Sequence, residues 1–312
     1  MKKLSNFINE SGIEELINVI LEADNSWGEI FENVICEAWN SKGTSLGDYE
    51  KEVSRRGLDP IVVAENIYKS LSDAKIMDED ETLVKLDNVP DTTEEWYELG
   101  MYTKKPNTTP KTDIIVSSKK GVKISVKEES GARLMSGAIN ETIATIRVAI
   151  RESKNKALNE FADDIFKKLE GKATRGRIKG TTAAILKKLG LREDPSAEPE
   201  DESERIIWEI EQAKRELAAL IEEIKKFPDV YRALLHEAIT GDVKFGKNNP
   251  ASANYILTWN DRGECDVYDI DSYINKFGGS YKIYATYKSS SVKINGVKDG
   301  TRDSLMVMSL SN

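Results

Sequence analysis

Histidine is almost missing from this chain. His236 is the one copy in 312 residues, which excludes a histidine-based catalytic triad and any metal centre built on two imidazoles. Cysteine is nearly as scarce. Cys36 and Cys265 stand far apart, so with a single histidine they cannot make a Cys/His zinc site, and they read as reduced thiols of a cytoplasmic protein. Long apolar runs are lacking too, since no stretch approaches the ~20 residues of a membrane span. The opening "MKKLSNFINESGIEELINVILEADNS" carries two lysines as a signal peptide would, but Asn, Glu and Ser interrupt the apolar segment that should follow. Without a secretory route, the sequons at Asn107 and Asn140 are expected to be idle. Positive charge is not in excess: the formal net charge is -9, which argues against nonspecific attraction of nucleic acid by the whole surface yet leaves room for a local basic face.

What is present is a soluble-type composition, 39% hydrophobic and 32% charged, in a chain long enough for one large domain or two ordinary ones. The first hundred residues are mostly helical in pattern. Gly12 to Ala23 places Ile13, Leu16, Ile17, Ile20 and Leu21 at helical spacing, and "SWGEIFENVICEAWNS" places Ile30, Phe31, Val34, Ile35 and Ala38 likewise. "LDPIVVAENIYKSLSDA" adds a helix with an Asp-Pro start. At Thr112 the period changes to two: "TDIIVS" and "VKISVK" are short, β-branched and separated by "SKKG", a hairpin signal. From about Ala132 to Phe227 helical patterning resumes, with interruptions. After "LLHEAITGDVKFG" the chain turns β-like, in "NYILTWN", "CDVYDI", "YKIYATYK", "SVKING" and "SLMVMSL".

Two charge blocks lie within the helical stretch. From Lys167 to Arg192 nine Lys/Arg stand against one Glu, a local charge of +8, and Lys167, Lys168, Lys172, Arg175, Arg177, Lys179, Lys187 and Lys188 are the candidate phosphate contacts. Glu193 to Glu204 follows with seven acids and two prolines, which reads as a flexible acidic linker able to cover the basic face. "GKATRGRIKGTT" lacks the Gly-Lys-Ser/Thr ending of a phosphate loop. The C-terminal aromatics, among them Tyr255, Trp259, Tyr268, Tyr273, Tyr281, Tyr284 and Tyr287, read first as half-buried strand residues and only second as a stacking face for bases. His236 reads as a helix-end residue packed on the core, and Glu237 beside it as a minor candidate for a supporting carboxylate.

The hairpin carries the chemistry. If its strands pair antiparallel, Asp113 at the start of one lies beside Lys127 at the end of the other. A carboxylate there can bind a hard cation through oxygen, and an adjacent ammonium can orient water and offset charge on a phosphate under attack.

"TD" at Thr112–Asp113 followed by "ISVK" at Ile124–Lys127 resembles the PD-(D/E)xK nuclease superfamily, which includes restriction endonucleases and phage exonucleases. The resemblance implies Asp113 as a metal-binding aspartate, Lys127 as the motif lysine and the Val126 carbonyl as an extra metal ligand. Ser125 departs from the pattern, because it stands where the second acid belongs and a hydroxyl is a poor substitute for a carboxylate. Some restriction enzymes with the same "SVK" wording take the missing acid from the next helix, fourteen residues on, and Glu141 stands there. Glu128 and Glu129 are nearer but would have to turn back on the strand. The superfamily also carries an acid on the helix before the aspartate strand. Gly28 with Glu32 suits that setting, with Glu29 and Glu37 as alternates.

The resemblance spans about Gly28 to Ile150. It implies an α+β, restriction-endonuclease-like core, a mixed sheet flanked by helices, with a helical insertion and a C-terminal β-rich part. The expected division is 1–165 for the nuclease-like core, 166–237 for the basic insertion, acidic linker and long helix, and 238–312 for a β-rich region packing on the core. The implied function is Mg²⁺-dependent hydrolysis of DNA phosphodiesters, with Mn²⁺ as a substitute metal and catalysis by Asp113, Lys127, Glu141 and Glu32. The implied partners are DNA, with a second copy of the chain or phage assembly proteins. The implied place is a bacterial or phage-infected cytoplasm, or a virion. The alternative is a catalytically degenerate DNA-binding or phage structural protein on the same fold.

Overall fold

A computed structural model describes residues 27–311, apart from 87–90, 103–105, 107, 118–120, 130–132, 170–174, 193 and 295–296, with side chains placed up to residue 284 except at 136 and 175. The helix expected over Gly12 to Ala23 lies outside the described residues, as do Asn107 and Lys172 and the side chains of Arg175 and Tyr287.

The first described helix, α1 (residues 27–40), buries Phe31, Val34, Ile35 and Ala38 at the helical spacing read from sequence. After the short α2 (Glu50–Arg55), α3 (Pro60–Ala74) starts as its Asp-Pro pair dictates: the Asp59 side chain accepts from the Ile61 amide while Pro60 occupies the first turn. Strand β1 (Leu83–Lys85) and helix α4 (Glu94–Leu99) lead to the hairpin of β2 (Ile114–Val116) and β3 (Lys123–Glu128). The hairpin is antiparallel, with Ile114 opposite Ile124.

The chain then leaves the sheet. Strand β4 (Arg133–Ala138) runs straight into α5 (Ile139–Ser153), followed by α6 (Lys156–Leu169), β5 (Arg175–Ile178) and α7 (Thr182–Gly190). The long α8 (Glu202–Ile224), α9 (Pro228–Thr240) and the single turn α10 (Asp242–Phe245) bring it back. Strands β6 (Tyr255–Trp259) and β7 (Cys265–Asp269) then complete a five-stranded sheet of order β1-β2-β3-β6-β7. The β3–β6 pair is parallel and the other pairs are antiparallel, so the sheet is mixed. Helix α11 (Ile270–Phe277) and the long strands β8 (Lys282–Ile294) and β9 (Val297–Ser311) follow. In a second sheet β9 pairs with β8 along one side and with β4 and β5 along the other.

The core sheet has helices on both faces, the α+β arrangement expected. On one side α1 and α3 pack Phe31, Ile35 and Ile67 against Ile114, Ile124 and Leu257. On the other, α5, α8 and α9 pack Ile146, Leu217 and Leu234 into a cluster that includes Ile256 of β6. Alternation along β3 sends Ile124 and Val126 to the α1 side and Ser125 and Lys127 to the α5 side.

Two local expectations change. Residues 133–138, patterned as helix, form a strand, because their pairing partners in β9 lie about 170 positions away and no local period records them. The acid-rich run is no simple spacer. Asp201 caps α8 by accepting from the Glu204 amide, the Trp208 indole donates to the Pro195 carbonyl at 3.0 Å, and the Ser203 hydroxyl accepts from the Lys179 amide at 3.0 Å. Asp201→Ala is therefore expected to cost about 1 kcal/mol, read as a lower midpoint in urea with unchanged slope. An unchanged midpoint would remove the cap from the account.

Candidate functional site

Asp113 sits one residue before β2, where its amide donates to the Ile124 carbonyl at 2.9 Å. This places its carboxylate against the second half of β3, beside Lys127. Oδ2 accepts from the Val126 amide at 2.6 Å and from the Ser125 hydroxyl at 3.2 Å. The Lys127 ammonium lies 3.5 Å from the same oxygen and donates to the Val126 carbonyl at 2.9 Å. A positive group thus already touches both the aspartate and the carbonyl named as metal ligands.

Glu141 lies in the first turn of α5, where the helix dipole favours a carboxylate. It is buried, and its Oε1 accepts from Lys244 Nζ at 2.7 Å. Lys244 belongs to α10 and is only 1% exposed. Glu237, at the end of α9, holds α10 in place: its two carboxylate oxygens accept from the amides of Val243 and Lys244, each at 3.0 Å. Burial raises the Glu237 carboxyl to about 7, against the lowering effect of those two amides and of the nearby Lys111 charge.

These pieces meet in one cavity of about 320 Å³, lined by Asp113, Ser125, Lys127 and Glu141 together with Lys111, Arg133 and Lys244. Four cations face two carboxylates here, an excess suited to an anionic guest. Burial is the main cause that lowers the Lys111 ammonium, to about 8. Asp113 and Glu141 offer this cavity carboxylate oxygens of the kind a hard cation takes, whereas Val126, expected to add its carbonyl, is not on the lining, and that carbonyl accepts from Lys127. Among the described residues, no three His, Cys, Asp or Glu side chains cluster closely enough to hold a metal by themselves.

Glu32 is not part of this lining. It sits on α1, across the sheet, with its carboxylate 2.8 Å from Lys85 Nζ, and lines a smaller cavity of about 160 Å³ with Gly28, Arg56, Val126 and Trp259. Its carboxyl is raised first by burial and then by the Asp113 charge, with Lys85 and Lys127 opposing, so the two sides of the sheet feel each other electrostatically. The alternates Glu29 and Glu37 are exposed. The basic block is spread over α6, β5 and α7. Lys167, Lys168 and Lys188 face Asp164, Glu216 and Glu204 at 3.9, 3.4 and 3.4 Å, while Arg177, Lys179 and Lys187 are exposed. Of the C-terminal aromatics, Trp259 is buried at the end of β6 in the strand-packing role read first, whereas Tyr273 is buried on helix α11, Tyr281 is buried just before β8 and Tyr284 on β8 is exposed.

Sequence reasoning passed over Lys111 and Lys244. Lys111 had a weak signal, two residues before Asp113 and hence on the same side of an extended chain. Lys244 had none, because its partner Glu141 is 103 positions away.

No protein-family model matches the chain, and no curated protein compared with it is similar. Among solved structures it is similar to restriction endonuclease MspI in complex with its cognate DNA, at 12% identity, covering 82% of each chain with a TM-score of 0.35. A TM-score that low carries no weight beside the geometry above. No helix among the described residues is long and apolar enough to cross a membrane.

Two outcomes are expected. Lys244→Met leaves the buried Glu141 charge unpaired and should cost about 3–5 kcal/mol in urea unfolding, while adding Glu141→Gln should recover part of that loss. Glu237 binds its proton more tightly folded than unfolded, so its contribution is fullest below about 4.5 and is lost as pH rises toward 7. In Glu237→Gln the fall in stability across that window should flatten, and an unchanged pH slope would contradict the assignment.

Proposed function

We propose that this chain is a metal-dependent nuclease that hydrolyses DNA phosphodiester bonds. The observation that carries the reading is the convergence of Asp113, Ser125, Lys127 and Glu141 on one cavity, from a hairpin and a helix separated in sequence. Asp113 and Glu141 would hold Mg²⁺, or Mn²⁺ in its place, with the Val126 carbonyl as a further ligand once Lys127 gives it up. When bound, the ion supplies Lewis-acid stabilisation of phosphate charge.

Lys127 orients a water molecule against phosphorus. The water oxygen bonds to phosphorus, the bond to the leaving oxygen breaks, the water's proton passes to solvent and the departing alkoxide takes one up. Glu32, raised by burial and coupled to Asp113 through the sheet, supports the site from the α1 side. The exposed cations of β5 and α7 offer phosphate contacts away from the cavity.

One observation favours a second reading, a DNA-binding protein without catalysis. Ser125 stands in the acid's place, and the substitute expected for it, Glu141, has one oxygen already taken by Lys244. Metal response separates the two. Under the nuclease reading, duplex DNA is cut with Mg²⁺ or Mn²⁺, and Asp113→Ala and Lys127→Ala each lower the rate by about 10²–10⁴. Salt-sensitive binding without cleavage or metal effect would establish the second reading instead. Equal cleavage by wild type and both variants would refute the site.

A further inference from the structure

The cavity holds a lysine that the hydrolytic scheme does not use. Lys111 is fixed by its backbone: its own amide and that of Thr112 both donate to the Ala251 carbonyl, at 2.9 and 3.2 Å. Its aliphatic stem crosses the end of α9 at Gly241, where φ is +62° and a Cβ would come within 2.9 Å of Lys111 Cγ. The fold therefore keeps a path clear for this side chain and points it into the space shared by Asp113, Lys127 and Glu141.

Having placed the ammonium there, the fold satisfies it poorly. Its hydrogen bond is to the Leu134 carbonyl at 3.5 Å, at the limit of what counts as one. The other two lysines of the cavity are better served. Lys244 reaches Glu141 at 2.7 Å and Lys127 reaches the Val126 carbonyl at 2.9 Å. An ammonium has three donors, and a half-buried one with a single long bond among the described residues has donors to spare for an anion. Arg133 on the same lining adds a second cation at the exposed side.

We infer that Lys111 is a substrate-binding residue, whose ammonium donates to a non-bridging oxygen of the nucleic-acid phosphate seated in this cavity. The inference rests on the nuclease reading's placement of a phosphate beside Asp113 and Lys127, and it is independent of whether that phosphate is cut. The contact is to phosphate alone, so it serves all base sequences equally.

The test is fluorescence anisotropy of a labelled DNA duplex against the full chain, without divalent metal, over a range of KCl. Lys111→Met should bind about 5- to 10-fold more weakly, with a salt slope smaller by about one and the same loss on unrelated sequences, while Lys111→Arg should keep the wild-type slope. Affinity and slope equal to wild type in Lys111→Met would overturn the inference and leave the nuclease reading standing. A wild-type chain that neither binds nor cuts duplex DNA would overturn both. Should Lys111→Met fail to fold, differential acetylation of the wild-type chain decides: DNA must protect Lys111 by several-fold in peptide maps, and unchanged labelling rejects the contact.

Discussion

The β2–β3 register is the constraint on which the site depends. With Ile114 opposite Ile124, the carboxylate of Asp113 comes to the backbone amide of Val126 and to the Lys127 ammonium. A slip of one residue would turn Ser125 and Lys127 toward α1 and bring Ile124 and Val126 to the polar side. The apolar clusters on both faces forbid that slip, since Ile114 and Ile124 are fully buried under α1 and α3. Packing on one face thereby sets chemistry on the other.

The second constraint is the parallel pairing of β3 with β6. Parallel neighbours need a crossover, and here it runs from residue 129 to 254 through α5, α8 and α9. That excursion covers the α5 side of the sheet and delivers Glu141 and Lys244 to the cavity from opposite ends of the crossover. Their ion pair is almost fully buried, 1% and 9% exposed at the side chains, so each charge requires the other. Glu237, holding two amides of α10, orients the lysine that holds the glutamate. The cavity is thus built by layers of support from segments that share no local motif.

Much of the core was legible. The helical spacing of α1 and α3, the Asp-Pro cap, the switch to period two at Thr112 and the hairpin all follow from residues within reach of one another along the chain. The placement of Asp113 beside Lys127 is legible for the same reason, because a short hairpin leaves few registers. The strands of the C-terminal quarter were legible as strands. Their destination was not, since β6 and β7 enter the core sheet whereas β8 and β9 build another sheet with β4 and β5. Nor did the acid-rich run announce that its last residues cap and begin α8.

By itself the sequence determined the alternation that separates an apolar side of β3 from a polar one, and the exclusion of a histidine-based triad and of a Cys/His zinc site. Those are properties of composition and of neighbours two to four positions apart, which a chain carries whether or not it is folded. The tertiary structure alone decided that Glu141 would be clamped by Lys244, that Lys111 would enter the same cavity and that Glu32 would stay behind the sheet with Lys85. Such encounters depend on where a long crossover returns, and burial, not sequence spacing, dictates that return.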